Sequence, residues 1–140
     1  MYLLDTNVIS EIRKIKLGKA NIGLENWAKN NNKDLMFISV ISLFELEKGV
    51  LNLERKDIQQ GKVYRYWLEN SVKPVFKNRI LNITPEIALI CAKMHIPDKK
   101  NLTDSFIAAT AIKNNLTVIT RNEKDFMHTG AKIFNPFIIH

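Results

Sequence analysis

Tyr2-Leu3-Leu4-Asp5-Thr6-Asn7-Val8-Ile9 sets a short apolar run directly before an acid and a turn-forming pair, after which apolar residues resume. An unbroken run of this length suits a strand buried on both faces. Four other runs have the same character: Leu35-Met36-Phe37-Ile38, Ile80-Leu81-Asn82-Ile83, Thr117-Val118-Ile119 and Ala131-Lys132-Ile133-Phe134. Longer stretches with helical spacing separate them. Strands of this kind alternating with helices predict a parallel sheet covered on both sides, an α/β fold built as a three-layer α/β/α sandwich.

Helix starts are marked by capping residues. Ser39 or Ser42 can cap a helix that carries Phe44, Leu46 and Val50. Thr84-Pro85-Glu86 reads as cap, first-position proline and first-turn acid. Its helix puts Ile87, Ile90, Cys91 and Met94 on one face. Thr103 is the expected cap of an alanine-rich helix through Ile107, Ala108, Ala111 and Ile112. Residues 57–75 read as another helix, and Trp27 lies in one that ends in Asn30-Asn31-Asn32. Pro97-Asp98-Lys99-Lys100-Asn101 is a polar loop.

The 140 residues suit one domain, residues 1–140, and 46% hydrophobic with 25% charged residues is the balance of a soluble globular protein. No apolar run approaches the roughly 20 residues that span a bilayer. The early Asp5, with no basic leader, argues against a signal peptide. Cys91 is the only cysteine, so an internal disulfide and a cysteine-based zinc site are both excluded, and a cytoplasmic setting is expected. There is no glycine-rich phosphate loop and no serine elbow. His95, read as a helix-end residue, His128, read as a loop residue, and His140 form no pair with ligand spacing. The net charge of +7 points to a polyanionic partner, although the lysines are scattered along the chain.

Against this basic background, acids stand where apolar runs meet turns. Asp5 either caps the helix at Val8-Ile9 or, if Asn7 caps it, is spare for other chemistry. Glu45 completes a capping box with Ser42, or lies in the second turn if the helix begins near Ser39. Asp104 follows Thr103 as a first-turn acid favoured by the helix dipole. Asp125 and Asn122 sit in a turn before Phe126, where Asn122 can act as the cap. A buried carboxylate is costly unless something offsets its charge, and several together repel one another. A hard divalent cation is the simplest compensation.

These stretches resemble the PIN-domain ribonucleases, and within them the VapC-type toxins of type II toxin–antitoxin pairs. Leu3-Leu4-Asp5-Thr6-Asn7-Val8-Ile9-Ser10 looks like the first motif of that family. The segment from Ser39 to Val50, with Glu45 in the acid position, looks like its second. Asp104-Ser105-Phe106-Ile107-Ala108-Ala109-Thr110-Ala111 is similar to the third. Thr120-Arg121-Asn122-Glu123-Lys124-Asp125-Phe126 with Asn135-Pro136-Phe137 resembles the C-terminal pattern. The resemblance covers essentially the whole chain.

It implies a PIN-like parallel sheet and an endoribonuclease dependent on Mg²⁺, with Mn²⁺ as a substitute. It carries over Asp5, Glu45 and Asp104 as the acid cluster, with Asp5 and Asp104 as direct metal ligands. Some relatives have an acid where this chain has Asn122, so either Asn122 or Asp125 fills the fourth position. Thr6, Asn7 and Ser105 support the site, Thr6 and Ser105 by orienting ligands or water. Arg121 contacts phosphate or forms a surface ion pair. The resemblance also implies an RNA substrate, a homodimer, and a cognate antitoxin that blocks the site and alone contacts DNA. The competing reading is a non-catalytic nucleic-acid-binding subunit of a regulatory complex. A small-substrate phosphohydrolase is disfavoured because Asn7 stands where the usual paired aspartate would be.

Overall fold

The structure, a computed structural model, describes residues 1–138; His140 lies outside the described residues. Its strands are β1 (Tyr2–Leu4), β2 (Met36–Ser39), β3 (Ile80–Leu81), β4 (Thr117–Ile119) and β5 (Ile133–Phe134). They form one parallel sheet in the order β3-β2-β1-β4-β5. Each expected apolar run supplies a strand: β1 and β4 match it, β3 and β5 are shorter, and β2 is shifted by one residue. Leu35, for example, closes a 3-10 turn (Lys33–Leu35) instead of opening β2.

Helices cover both faces: α1 (Thr6–Arg13), α2 (Ile22–Asn30), α3 (Val40–Lys56), α4 (Ile58–Trp67), the short α5 (Lys73–Val75), α6 (Pro85–Met94), α7 (Leu102–Asn114) and α8 (Glu123–Phe126). Leu4, Ile38 and Ile119 pack on one side with Val8, Leu24, Leu46 and Leu68. Their strand neighbours Leu3 and Val118 pack on the other with Ile107, Ala108, Ala111 and Phe126. Successive strand side chains point to opposite faces, so strands without polar residues are the ones both layers can bury. Each fully buried Leu, Ile or Phe contributes about 1.5–3 kcal/mol. The small side chains of α7 let it lie between layers, with Ala108 against the sheet and Ala109 against Ile87 and Cys91 of α6.

Three expected boundaries are corrected. Asn101, not Thr103, caps α7: its Oδ1 accepts from the Asp104 backbone N–H (3.1 Å), while the Thr103 hydroxyl donates to the same oxygen (2.9 Å). Residues 57–75 are not one uniform α-helix, because a π-helical turn (Leu68–Val72) joins α4 to α5 just before Pro74. Proline lacks the N–H that an α-helical hydrogen bond there would need, and a widened turn accommodates it. Asn122 occupies the cap position of α8 but makes no side-chain capping bond.

The chain runs from β1 outward to β2 and β3, then returns to β4 on the other side of β1. The crevice outside the carboxyl ends of strands at such a reversal is where open α/β sheets place their ligand sites. Leu4 pairs with Ile119, so Asp5 and Thr120 stand side by side at its mouth.

Candidate acidic metal centre

Asp5 ends β1 and is only 3% exposed. Its Oδ1 accepts from the Thr6 backbone N–H (2.8 Å), which makes it the cap of α1, while Asn7 is exposed in the first turn. Its Oδ2 accepts from the Thr120 hydroxyl (2.9 Å), and its backbone N–H donates to Ile119 O (2.9 Å). Thr120 Oγ1 in turn accepts from the Asn122 N–H (2.9 Å), so one buried hydroxyl ties β1 to the loop that leads into α8. Burial pushes the Asp5 carboxyl up; its two hydrogen bonds oppose this, and the charges of Glu45 and Asp125 add to it.

Ser39 caps α3, accepting from the Ile41 N–H (3.0 Å). Glu45 therefore falls in the second turn and is released from a capping box. It accepts from the Thr6 hydroxyl at 2.6 Å. Thr6 Oγ1 also lies 2.9 Å from Ser42 Oγ. A hydroxyl has one proton, so Ser42 donates to Thr6 while Thr6 donates to Glu45. This chain fixes the glutamate beside the start of α1.

Asp104 projects from the first turn of α7 and is half-buried. Its carboxyl is pushed up to about 6, first by burial and then by the charges of Asp5, Asp125 and Glu45. Asp125, exposed on α8, thus shares one electrostatic field with the other three. Among the described residues no Lys or Arg pairs with any of the four.

Of two other expected site residues, Ser105 faces away from the acids, and Arg121 stands on the loop after β4. The buried Ser105 hydroxyl donates to Leu102 O (2.8 Å), accepts from Cys91 Sγ (3.4 Å) and lies 2.9 Å from His95 Nε2, so it points toward α6. Arg121 is exposed; its guanidinium lies 4.1 Å over the Phe137 ring, and its charge helps to lower the Glu11 carboxyl. Phe137 is held by its N–H to Asn135 Oδ1 (2.9 Å), while Asn135 Nδ2 donates to Glu123 Oε2 (3.3 Å). The C-terminal Asn-Pro-Phe segment therefore braces the loop after β4.

Ser42 and Thr120 were missed as individual site residues. For Thr120 the available signal was a hydroxyl ending an apolar strand; for Ser42, a polar residue on a helix face otherwise turned to the core.

The donor set is all oxygen and its charge is uncompensated, which suits a hard divalent ion. Among the described residues, no three His, Cys, Asp or Glu side chains are gathered tightly enough to hold a metal ion directly. Mg²⁺ does not need such a cage. It commonly takes one or two carboxylates and keeps several waters, and the residues present fit that mode.

Together, the reversal crevice and its carboxylates define a parallel-sheet protein with an acidic strand-end centre. The PIN domain family matches residues 2–132, a span that includes all four acids, and the chain belongs to that family. It is 33% identical to the toxin FitB of Neisseria gonorrhoeae, over 98% of this chain and 99% of that protein. It is 29% identical to the VapC ribonuclease Y4jK of Sinorhizobium fredii, over 98% of each. Among solved structures it is similar to FitAB bound to an IR36 DNA fragment, with a TM-score of 0.87, 30% identity, and coverage of 100% of this chain and 98% of that one. No helix among the described residues is long and apolar enough to cross a membrane.

Proposed function

We propose that residues 1–140 form a single-domain, metal-dependent endoribonuclease, the toxin of a type II toxin–antitoxin pair, which hydrolyses RNA phosphodiester bonds. The observation that carries this reading is the shared negative field of Asp5, Glu45, Asp104 and Asp125, held at the strand ends without a cationic partner. A structural cluster of this kind would be offset by an internal Lys or Arg. Here the charge is left for something from outside. The names of the relatives, toxin FitB and VapC ribonuclease, support the same reading.

In this reading Asp5 and Asp104 bind Mg²⁺, or Mn²⁺ in its place, with Glu45 and Asp125 completing the acidic shell. When bound, such an ion supplies charge neutralisation at the phosphate and a more acidic water. The chain's own groups do the rest. Thr120 and the Thr6 N–H hold Asp5 in one orientation. Thr6 holds Glu45. Asp104, whose carboxyl is pushed up to about 6 by burial and the neighbouring acids in the metal-free site, is the ligand whose charge a bound cation would most relieve. Asp125 supplies the fourth carboxylate from α8, where Asn122 has only an amide. Arg121, stacked on Phe137, contacts a substrate phosphate. The protein acts in the cytoplasm as a homodimer, and its cognate antitoxin covers the site and makes any DNA contact.

Cleavage of single-stranded RNA by the purified protein tests this. Activity should require Mg²⁺ or Mn²⁺, disappear with EDTA, and fall by at least about 100-fold in Asp5→Asn and Asp104→Asn variants that melt like the parent. Unchanged cleavage by the double variant counts against the assignment. The net charge of +7 favours a second reading, a non-catalytic nucleic-acid-binding subunit. Salt-dependent binding without cleavage in either metal would select it.

A further inference from the structure

A groove of about 520 Å³ lies between the end of α6, the flank of α7 and the turn after α8. That volume is within the range of small-ligand sites. Met94, Ile96 and Ile112 give it an apolar floor, while Lys93, Lys100 and His128 stand around it; none of the lining residues is acidic. Ile96 is 77% exposed, an aliphatic surface with no cover of its own. Among the described residues, neither Lys93 nor Lys100 is engaged in an ion pair.

Both walls continue segments that carry the acidic centre. Lys100 precedes Asp104 by four residues, beside Asn101, which caps the helix bearing that acid. Its backbone N–H donates to His95 Nδ1 (3.3 Å), which anchors the loop to the end of α6. His128 follows Asp125 by three residues. At no more than about 3.6 Å per residue, either wall lies within about 14 Å of an acid of the centre.

We propose that this groove binds a nucleotide of single-stranded RNA adjacent to the linkage held at the acidic centre. The base lies on the Met94–Ile96 floor and the flanking phosphates meet Lys93 and Lys100. The identity of the polymer rests on the nuclease reading above. The physical need is specific: four carboxylates repel a phosphate backbone, so the strand must be held by cations beside the centre and not within it. Lysines beside a groove hold a phosphate backbone with little regard for sequence, and an aliphatic surface next to them can cover the face of a base by apolar contact.

Binding of a short single-stranded oligoribonucleotide, measured in EDTA so that nothing is cleaved, tests the groove. The double variant K93E/K100E should bind at least tenfold more weakly than the parent at unchanged melting temperature. Its log K against log salt slope should be shallower by about 1.4, or about 0.7 for each phosphate no longer neutralised. Ile96→Ser should weaken binding severalfold and leave the slope unchanged. The control K56E/K62E, with the same charge change on the α3–α4 hairpin, should bind as the parent does. Parental affinity in K93E/K100E, or equal weakening in the control, overturns the groove. Cleavage by the wild type in Mg²⁺, scored separately, isolates the two ideas: a cleaving enzyme whose K93E/K100E form binds normally loses only the groove. A non-cleaving protein with the expected binding contrast loses only the nuclease assignment.

Discussion

The α3–α4 hairpin and the strand-end crevice hold the same chemical groups in opposite electrostatic states. On the hairpin, Arg65 takes Glu47 in a bidentate pair (2.8 and 2.7 Å), reaches Glu54 (2.9 Å) and lies near Glu69 (3.5 Å). Hydrogen bonds from that guanidinium hold the Glu47 and Glu54 carboxyls below their ordinary values. In the crevice, Asp5 and Asp104 are shifted the other way, chiefly by burial and further by the neighbouring acids. An acid cluster with its own cation is finished architecture. One without a cation is left repelling itself until a ligand arrives, and it is there that chemistry is expected.

Breaking the crevice should have the largest effect. Asp104→Asn should lower RNA cleavage by about 100- to 1,000-fold, the usual size for one electrostatic catalytic group. It should leave the melting temperature equal or higher, because a repelled half-buried charge is gone. Thr120→Val should come next. It removes the donor to Asp5 and orphans the Asn122 N–H, costing about 1–3 kcal/mol in chemical denaturation and roughly tenfold in cleavage. Arg65→Ala should reverse the pattern, lowering the melting temperature slightly by leaving three glutamates crowded while cleavage stays at the parental rate.

The smallest effect is also the sharpest on sign. For the crevice, Asp104 keeps its proton in the folded state up to about 6, against 3.8 ordinarily. The folded chain then binds more protons than the unfolded one, and metal-free stability declines as pH rises through that window. For the hairpin, the lowered Glu47 and Glu54 contribute stability that is present above about 4.5 and is lost as pH falls below it. Melting curves in EDTA should therefore show D104N removing the decline toward pH 6, and R65A removing the loss at low pH. Added Mg²⁺ should flatten the first and leave the second alone.

Much of the fold was legible in local pattern. The five runs read as strands because burial on both faces makes them predominantly apolar, and Thr84-Pro85-Glu86 marked α6 with three concordant signals. Where two residues were equally fit to cap, local chemistry could not choose. Ser39 and Ser42 both suit a helix start, and only the seating of Ser42 in the core beside Thr6 assigns the cap to Ser39 and frees Glu45. Asn101 takes the place expected of Thr103 because its side-chain oxygen accepts from the Asp104 N–H, and the Thr103 hydroxyl is spent on that same oxygen. Ser105 adjoins Asp104 in sequence, yet one residue is a large rotation around a helix, and its hydroxyl turns to His95 and Cys91.

The amino-acid order alone determined the five strand segments, most of the helices, the parallel three-layer arrangement, and the acids standing where apolar runs end. Those follow from short-range rules of burial period, capping and turn chemistry. Pairing β1 with β4, across more than a hundred residues, was decided by tertiary structure. That pairing seats Thr120 on Asp5 and gives Asp104 neighbours whose charges raise it. Charge repulsion and desolvation depend on distances in space, and no spacing along a chain encodes them directly.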